Sequence, residues 1–553
     1  RVRIALLTAF TVLLLSVVWL NGVFVGRHGG FPLRYIISAK NFLTGAADSK
    51  AGKVQYIRTV LVPLKVSTFD NLGPVKLAGW GGGFGAVGNT IIGVDRRGSF
   101  FRYEGKGHFD SLPITLDMNE DAYRRYLTSV RPDSRLRSEI DPRFRVLDLE
   151  AAVSDRTVTL YVSYDYWHTD EPGKTVRVAR LVLNGGLQHL DDAQTIRGDA
   201  WEIIYESHPL LPFSLVVRSP FNINRSGGRM VVDGDGSLLV TIGDHLLDGF
   251  RYPNAPSDTT SSYGKVIRIN LASLQSEIFT TGNRNPQGLT IDAGGNVWET
   301  EHGPRGGDEL NLLRQGVDYG WPAVTYGVDY GSYSWPLNAN QGRHDGYEKP
   351  VFAWAPSIAT SNLIQIHDTP SQWDGDLLVS GLRSMRLFRI RVDGEQVRLV
   401  EPVLIGERIR DLIQMQDGTI LLWTDAAHFV EVTVDAEGMA ASSQFPVELT
   451  SSEIDLGLDQ IIQQCQACHG MGPHTNSQDE ISLWGIYDRA IAETGYPGYS
   501  SVLKSKGGHW TAEDLESFLA SPSEFAPGSF MPDPSIADPA AIRALVGYLK
   551  RLK

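Results

Sequence analysis

The sequence has little cysteine: Cys465 and Cys468 are the only two among 553 residues. Both belong to the segment Cys465-Gln466-Ala467-Cys468-His469. A structural zinc site would require further thiols or a second histidine at ligand spacing, and a redox dithiol does not require a histidine directly behind it. The shortage of thiols therefore argues against a zinc site, and the histidine directly behind the second cysteine argues against a redox dithiol.

Basic residues are also in short supply. The chain has 51 Lys and Arg against 64 Asp and Glu, which gives a formal net charge of −13. A protein that binds nucleic acid is expected to carry a basic stripe that neutralises phosphates. The charge balance therefore predicts no nucleic-acid partner.

Charged residues are missing altogether from one long stretch near the start. Residues 4–25 form a run of 22 uncharged residues, preceded by two arginines. This length crosses a bilayer as a helix, and the leading arginines favour a cytoplasmic N-terminus. A cleaved signal peptide is the alternative, but the run exceeds a typical signal core and has no Ala-x-Ala site. We expect a transmembrane anchor in membrane lipid over residues 1–28, a linker over residues 29–59, and the bulk of the chain in the periplasm.

What the segment at Cys465 does contain is the pattern Cys-x-x-Cys-His. This pattern attaches a c-type haem through two thioethers and supplies a histidine ligand to the iron. Met531 follows 62 residues after His469, at the end of a loop that contains Pro527-Gly528. The commoner role of a methionine is to fill a core, but the loop and the spacing favour an iron ligand here.

The last hundred residues resemble class I, mitochondrial-type cytochromes c at several spaced points. The resemblance implies an all-α cytochrome domain over residues 446–553, with His469 and Met531 as the ligands of the haem iron. It also implies a propionate contact from Tyr499 and Trp510, which lie 11 residues apart. His/Met ligation raises the haem potential and leaves no open iron position, which suits electron transfer.

Between residues 60 and 445 the sequence repeats an apolar strand, an Asp/Gly turn and a second apolar strand. Gly236, Gly295 and Gly418 mark three such turns. Asp-Gly turns between apolar runs predict β-hairpins, and long repeats of hairpins predict a propeller. Strand pairs near residues 90, 160, 232, 291, 378 and 420 give six predicted blades.

Three segments of this region carry a second resemblance. Thr-Gly-Asn-Arg-Asn-Pro-Gln-Gly-Leu at residues 281–289, Glu-His-Gly-Pro-Arg-Gly-Gly-Asp-Glu-Leu-Asn-Leu at 301–312 and Asp-Tyr-Gly-Trp-Pro at 318–322 are similar to soluble aldose-sugar and glucose dehydrogenases. Enzymes of that family use pyrroloquinoline quinone (PQQ). The resemblance covers most of residues 80–435 and implies a six-bladed β-propeller with the quinone on its axial face.

The resemblance also implies a set of cofactor-binding residues. Arg383 replaces a family lysine that pairs with a quinone carboxylate. The carbonyl oxygens of Gly303 and Pro304 would hold a calcium ion against the quinone. The residues implied at the quinone are Arg284, Asn285, Arg383, Arg408 and Arg410. Guanidinium forks suit a tricarboxylate, although the same arginines can instead brace neighbouring blades through carboxylates.

The catalytic positions depart from the family pattern. Arg225 stands where the family has a histidine that acts as general base on the sugar hydroxyl. Asn224 stands where some members have an aspartate that orients that histidine, and Arg143 stands at a family glutamine. A guanidinium does not accept a proton at working pH and cannot replace the base. These departures indicate a degenerate catalytic site.

Three functions fit these observations. The first, which the lost catalytic residues favour, is a membrane-anchored cytochrome whose propeller docks it to a redox partner such as a terminal oxidase, a reaction centre or another cytochrome. The second is a PQQ-dependent aldose dehydrogenase that passes substrate electrons to its own haem. A third reading is a propeller that binds some other ligand, with Arg225 and Arg143 added to an anion pocket.

Overall fold

The computed structural model divides into two compact units, Arg1–Asp435 and Ala436–Lys553. It describes residues 53–130, 144–154, 156–191, 195–213, 225–250, 252–367, 372–435, 447, 449–466, 469–471, 482–493, 499–529, 531, 534 and 536–552. The predicted anchor at residues 1–28 lies outside these residues. Within them, no helix has the length and apolar character that crossing a membrane requires.

The first unit consists of six antiparallel sheets. Blade 1 contains β3 (Gly82–Val87), β4 (Thr90–Asp95), β5 (Phe100–Gly105) and β6 (His108–Ser111). Blade 2 contains β7 (Val146–Ser154), β8 (Thr157–His168), β9 (Gly173–Asn184), β10 (Glu202–Glu206) and β11 (Leu211–Pro212). Blade 3 contains β12 (Gly227–Val232), β13 (Ser237–Ile242), β14 (Lys265–Asn270) and β15 (Ser276–Thr281), with β19 (Val317–Asp318) parallel to β15.

Blade 4 contains β16 (Pro286–Ile291), β17 (Val297–Glu301), β18 (Asp308–Leu313) and β20 (Phe352–Trp354). Blade 5 contains β21 (Thr360–Gln365), β22 (Leu377–Gly381), β23 (Arg386–Asp393) and β24 (Gln396–Leu404). Blade 6 contains β25 (Ile409–Gln414), β26 (Ile420–Thr424), β27 (Phe429–Val434), β2 (Pro63–Phe69) and β1 (Lys53–Arg58). Helices α1 (Glu120–Val130) and α2 (Gln188–Asp191) and a 3-10 turn (Gly198–Ala200) lie in the connections. The predicted six-bladed propeller is confirmed.

The predicted Asp/Gly turns form the hairpins that start three blades. Gly236, Gly295 and Gly418 all have φ between +81° and +85°, a region in which a side chain is strained. In the first of these turns, the amide of Asp233 donates to the carbonyl oxygen of Ser237 at 2.8 Å. The glycines therefore allow the chain to reverse between an inner strand and its neighbour.

Blade 6 closes the ring by combining strands from both ends of the propeller sequence. β2 pairs antiparallel with β27, from Leu64 opposite Val434 to Phe69 opposite Phe429. Blade 6 then packs on blade 1, where the Phe429 ring lies 5.7 Å from the Phe101 ring, centroid to centroid. The first and last strands thus hold the ring together through one continuous sheet.

A buried guanidinium ties five blades together near the axis. Nη1 of Arg229, in blade 3, contacts Asp148 Oδ1 of blade 2 at 2.5 Å and Asp411 Oδ1 of blade 6 at 2.8 Å. Its Nη2 donates to the Ser361 carbonyl oxygen of blade 5 at 3.0 Å, and its Nε to the Gln287 carbonyl oxygen of blade 4 at 3.1 Å. Burial raises the pKa of Asp148 to about 7 despite the opposing charge of Arg229.

Replacing Arg229 is expected to lower the free energy of unfolding of the propeller strongly. Arg229→Met leaves two buried carboxylates without their partner, which costs about 3–5 kcal/mol. Guanidinium-induced unfolding followed by tryptophan fluorescence measures this loss. The control is Arg398→Met, because Arg398 contacts Asp393 in an exposed pair at 2.9 Å. Equal losses in the two variants would refute the bracing role of Arg229.

The described residues of the second unit form six helices around one apolar cluster. They are α3 (Ser451–Asp455), α4 (Leu458–Gln466), α5 (Ser501–Lys506), α6 (Ala512–Ala520), α7 (Pro522–Phe525) and α8 (Pro539–Arg551). Helix α3 begins with a capping box between Thr450 and Glu453. Glu453 also accepts from Arg551 Nη2 at 2.8 Å, so the first and last of these helices are joined.

Candidate functional site

The axial site begins at the residues that flank the inner strands of blade 3. Arg225 lies two residues before β12, and Asp244 lies two residues after β13. Nη1 of Arg225 donates to both Asp244 carboxylate oxygens, at 3.1 and 3.2 Å. Asp244 is fully buried and also accepts from Trp321 Nε1 at 2.8 Å and from the amide of Leu246 at 3.0 Å. Arg225 is thus held as one partner of a buried carboxylate.

Arg284 lies beside this pair. Its carbonyl oxygen accepts from the amide of Asp244 at 2.8 Å, and its guanidinium carbon lies 5.1 Å from the Trp321 ring centroid. Its Nη1 donates to the carbonyl oxygens of His302 at 2.8 Å and Gly303 at 2.7 Å. Burial and the charge of Arg225 both lower the pKa of Arg284. The structure therefore brings Arg225 and Arg284 to one place.

Arg408 and Arg410 share a carboxylate on the blade 6 side. Arg408 Nε contacts Asp425 Oδ2 at 2.8 Å, and Arg410 Nη2 contacts Asp425 Oδ1 at 2.8 Å. Burial alone would raise the pKa of Asp425, but the charges of Arg410 and Arg408 outweigh it and the pKa is lowered. Both arginines and Asp425 flank or belong to strands of blade 6, so these ion pairs lie within one blade and do not link neighbouring blades. The side chain of Arg408 is 44% exposed and still faces solvent.

The remaining implied quinone residues occupy different positions. Asn285 is buried; its Oδ1 accepts from Gln287 Nε2 at 3.0 Å, and its amide donates to Glu301 at 3.3 Å. Arg383 is exposed, and its amide donates to the Ile358 carbonyl oxygen at 3.1 Å. Asn224 and Arg143 lie outside the described residues.

The carbonyl groups implied for calcium fit the ion poorly. The Gly303 carbonyl oxygen already accepts from the Arg284 guanidinium at 2.7 Å, so a cationic group occupies this oxygen. Pro304 is buried. Among the described residues, no group of three or more His, Cys, Asp or Glu side chains has a geometry that holds a metal ion. We therefore derive no step through calcium.

Two residues of the axial site were missed by the sequence reasoning. Arg145 directly precedes β7; burial and the charge of Arg410 lower its pKa to about 10. His245 follows Asp244, is buried, and its Nε2 has no hydrogen-bond partner among the residues described. Burial, then the charges of Lys174 and Arg225, lower the pKa of His245 well below its ordinary value. Its imidazole is therefore neutral but a weak base, and no motif signals either residue.

The second site lies in the helical unit. The amide of His469 donates to the Cys465 carbonyl oxygen at 2.9 Å, which places His469 one helical turn after Cys465. Cys465, Tyr499 and Met531 are half-buried against the same apolar cluster, and Trp510 belongs to its buried core. Cys468 lies outside the described residues. Cys465 and Met531 thus lie against one apolar cluster, as the attachment of a c-type haem requires.

Comparisons with known proteins match each unit to a different group. The sequence profile described as Glucose / Sorbosone dehydrogenase matches residues 146–430. The chain is 34% identical over 219 residues to aldose sugar dehydrogenase YliI of Escherichia coli, which covers 36% of this chain and 57% of that protein. The chain spans between 57% and 64% of the curated relatives that its propeller matches.

The helical unit matches a small cytochrome. Over 90 residues the chain is 31% identical to cytochrome c2 of Agrobacterium tumefaciens, which covers 16% of this chain and 81% of that protein. Among solved structures, the apo-form of soluble aldose sugar dehydrogenase from Escherichia coli aligns with a TM-score of 0.51 and 23% identity, covering 67% of this chain and 100% of that one. The structural likeness shows the propeller fold.

Proposed function

Because the chain belongs to the glucose/sorbosone dehydrogenase family through its propeller and to the cytochromes c through its C-terminal unit, we propose that it is an electron-transfer protein that works through a His/Met haem c. When bound, the haem supplies reversible one-electron chemistry at iron. The residues that serve it are Cys465, Cys468, His469 and Met531, with Tyr499 and Trp510 at a propionate.

The observation that carries this proposal is the ion pair between Arg225 and Asp244. Sugar oxidation by hydride transfer requires a group that accepts the hydroxyl proton. Arg225 holds the place of that group, and a guanidinium that donates to a buried carboxylate offers no lone pair to accept the proton. The neighbouring His245 is enclosed and surrounded by cations, so it is a poor substitute.

The location and partners of the protein form the finer part of the proposal. The uncharged run at residues 4–25 anchors the chain in the inner membrane, with both units in the periplasm. There the propeller docks the haem unit to a larger redox complex, such as a terminal oxidase or a photosynthetic reaction centre, or to another cytochrome. This agrees with the attachment of c-type haem on the periplasmic side.

A second candidate is a PQQ-dependent aldose dehydrogenase that reduces its own haem. The axial arginines favour it: Arg225, Arg284, Arg408 and Arg410 supply several guanidinium groups, as a polycarboxylate quinone requires. In this candidate the arginines would bind and orient the quinone, which when present accepts two electrons from the sugar. The missing proton acceptor counts against it.

Purification from membranes tests the favoured proposal. We expect the full chain, matured in a Gram-negative periplasm, to remain in the membrane fraction and to carry one c-type haem in its pyridine haemochrome spectrum. After mild detergent extraction from native membranes, it should migrate with a larger redox complex. A haem-bearing chain that leaves the membrane without detergent as a lone monomer would refute both the anchor and the docking role.

A further inference from the structure

Arg225 is held at one end only. Its Nη1 donates to both carboxylate oxygens of Asp244, at 3.1 and 3.2 Å, and lies 3.9 Å from Asp248 Oδ2. Asp244 is itself fixed by Trp321 Nε1 at 2.8 Å and by the amide of Leu246 at 3.0 Å. The guanidinium plane is therefore anchored by a fully buried carboxylate, so its orientation is set before any ligand arrives.

The other edge of the same guanidinium is open. In the part of the chain that the structure describes, Nε and Nη2 of Arg225 contact no acceptor, and neither atom is among the enclosed, unpartnered polar atoms. The side chain keeps 14% of its surface exposed. By contrast, Nε of the neighbouring Arg284 is enclosed and has no hydrogen-bond acceptor among the described residues. The open edge of Arg225 is thus reached from solvent.

The surroundings of this edge favour an anion. Beyond burial, the charge of Arg225 lowers the pKa of Arg284, and the charges of Lys174, Arg225 and Arg145 lower that of His245. Asp244 and Glu301 oppose the shift of the Arg284 pKa, so the cations that act on Arg284 are partly balanced. The charges that act on His245 are all positive. Arg408, also partly exposed, adds to it from the side of blade 6.

From this geometry we propose that the Nε–Nη2 edge of Arg225 binds an organic carboxylate on the axial face of the propeller. Two parallel N–H groups match the two oxygens of a carboxylate, which is why arginine recognises this group in a bidentate manner. The neutral hydroxyl of an unmodified sugar offers one acceptor and no charge. Arg225, which stands in place of the general base, therefore forms a binding site for an organic acid.

The carboxylate has two possible sources, a substrate acid and the quinone itself. The inference does not depend on the haem and concerns the propeller alone. It would therefore survive failure of the proposed electron-transfer function, and its own failure would leave that function in place.

Isothermal titration of the full-length chain with glucuronate and with glucose tests the site. These ligands differ by a carboxylate in place of a hydroxymethyl group. We expect saturable binding of glucuronate only, and Arg225→Gln to weaken it about tenfold to a hundredfold, as expected for a charged hydrogen-bonded pair. Arg225→Lys keeps the charge but loses the pair of parallel N–H groups. We expect its affinity for glucuronate to lie between those of the wild type and Arg225→Gln. Arg398→Gln is the control, because that guanidinium lies in an exposed pair with Asp393.

Repeating the titrations with PQQ identifies the source. If a substrate acid uses the edge, glucuronate still binds the PQQ-loaded chain and R225Q leaves PQQ affinity unchanged. If the quinone binds this edge, R225Q lowers the affinity for PQQ by a similar factor, and bound PQQ prevents glucuronate from binding. Either outcome, for the substrate acid or for the quinone, supports a carboxylate site. Thermal melting confirms that each variant is folded. Affinities for glucuronate and PQQ that are the same in wild type, R225Q and R225K would overturn the proposal.

Discussion

Met531→Leu is expected to abolish the low-spin His/Met spectrum of the haem and to lower its reduction potential. Leucine has a similar volume but no sulfur, so the second iron ligand is lost while the apolar cluster stays filled. Axial ligands set haem potentials over about 0.8 V, and we expect a fall on the order of 0.2 V here. Absorbance spectra and a potentiometric titration of the full chain measure both effects.

The control is Met471→Leu in the same unit. Met471 is buried in the cluster that Met531 contacts, so this variant makes the same chemical change at a position where we expect no iron ligand. Its spectrum and potential should match those of the wild type. An unchanged potential in M531L, or an equal fall in both variants, would show that Met531 is not the ligand.

Arg225→His is expected to give the propeller a sugar-oxidising activity well above that of the wild type. The introduced imidazole would lie beside Asp244, a buried carboxylate able to orient it, as Asp244 now holds the guanidinium. A positioned general base contributes about 10²–10⁴-fold in rate. We expect R225H, supplied with PQQ and an aldose, to reduce an added dye at least about a hundredfold faster than wild type.

Arg225→Gln is the matched control for this gain. It removes the same charge as R225H but supplies no proton acceptor, so it should stay as inactive as the wild type. Activity in R225Q equal to that in R225H would mean that the charge of Arg225, not the missing base, silences the propeller. If wild type already matches R225H, the chain is a working dehydrogenase.

The propeller was predictable because its signals are local. Each Asp-Gly turn lies between two apolar runs of the same hairpin, and Gly236 and Gly295 have the positive φ that such turns require. The closure of blade 6 was not predicted. β2 pairs with β27 across about 360 residues of sequence, and its apolar pattern does not identify a partner so far away.

The axial site was predictable only in part, for a similar reason. The motifs named Arg408 and Arg410, yet their carboxylate partner comes from another segment. Asp425 lies at the end of a neighbouring strand and draws both blade 6 arginines toward itself. His245 and Arg145 belong to no motif, and only the folded ring brings them to the axis. Sequence patterns thus located the cations and missed what neutralises them.

The most direct test of the account is the anaerobic spectrum of the haem in the wild-type chain after excess PQQ, calcium and aldose are added. With Arg225 in place of the base, we predict that the haem stays ferric under these conditions. It should become ferrous at once when a small donor such as ascorbate follows, which shows that the haem itself is competent. Ferrous haem formed by the aldose alone would contradict the account and identify the chain as a sugar dehydrogenase.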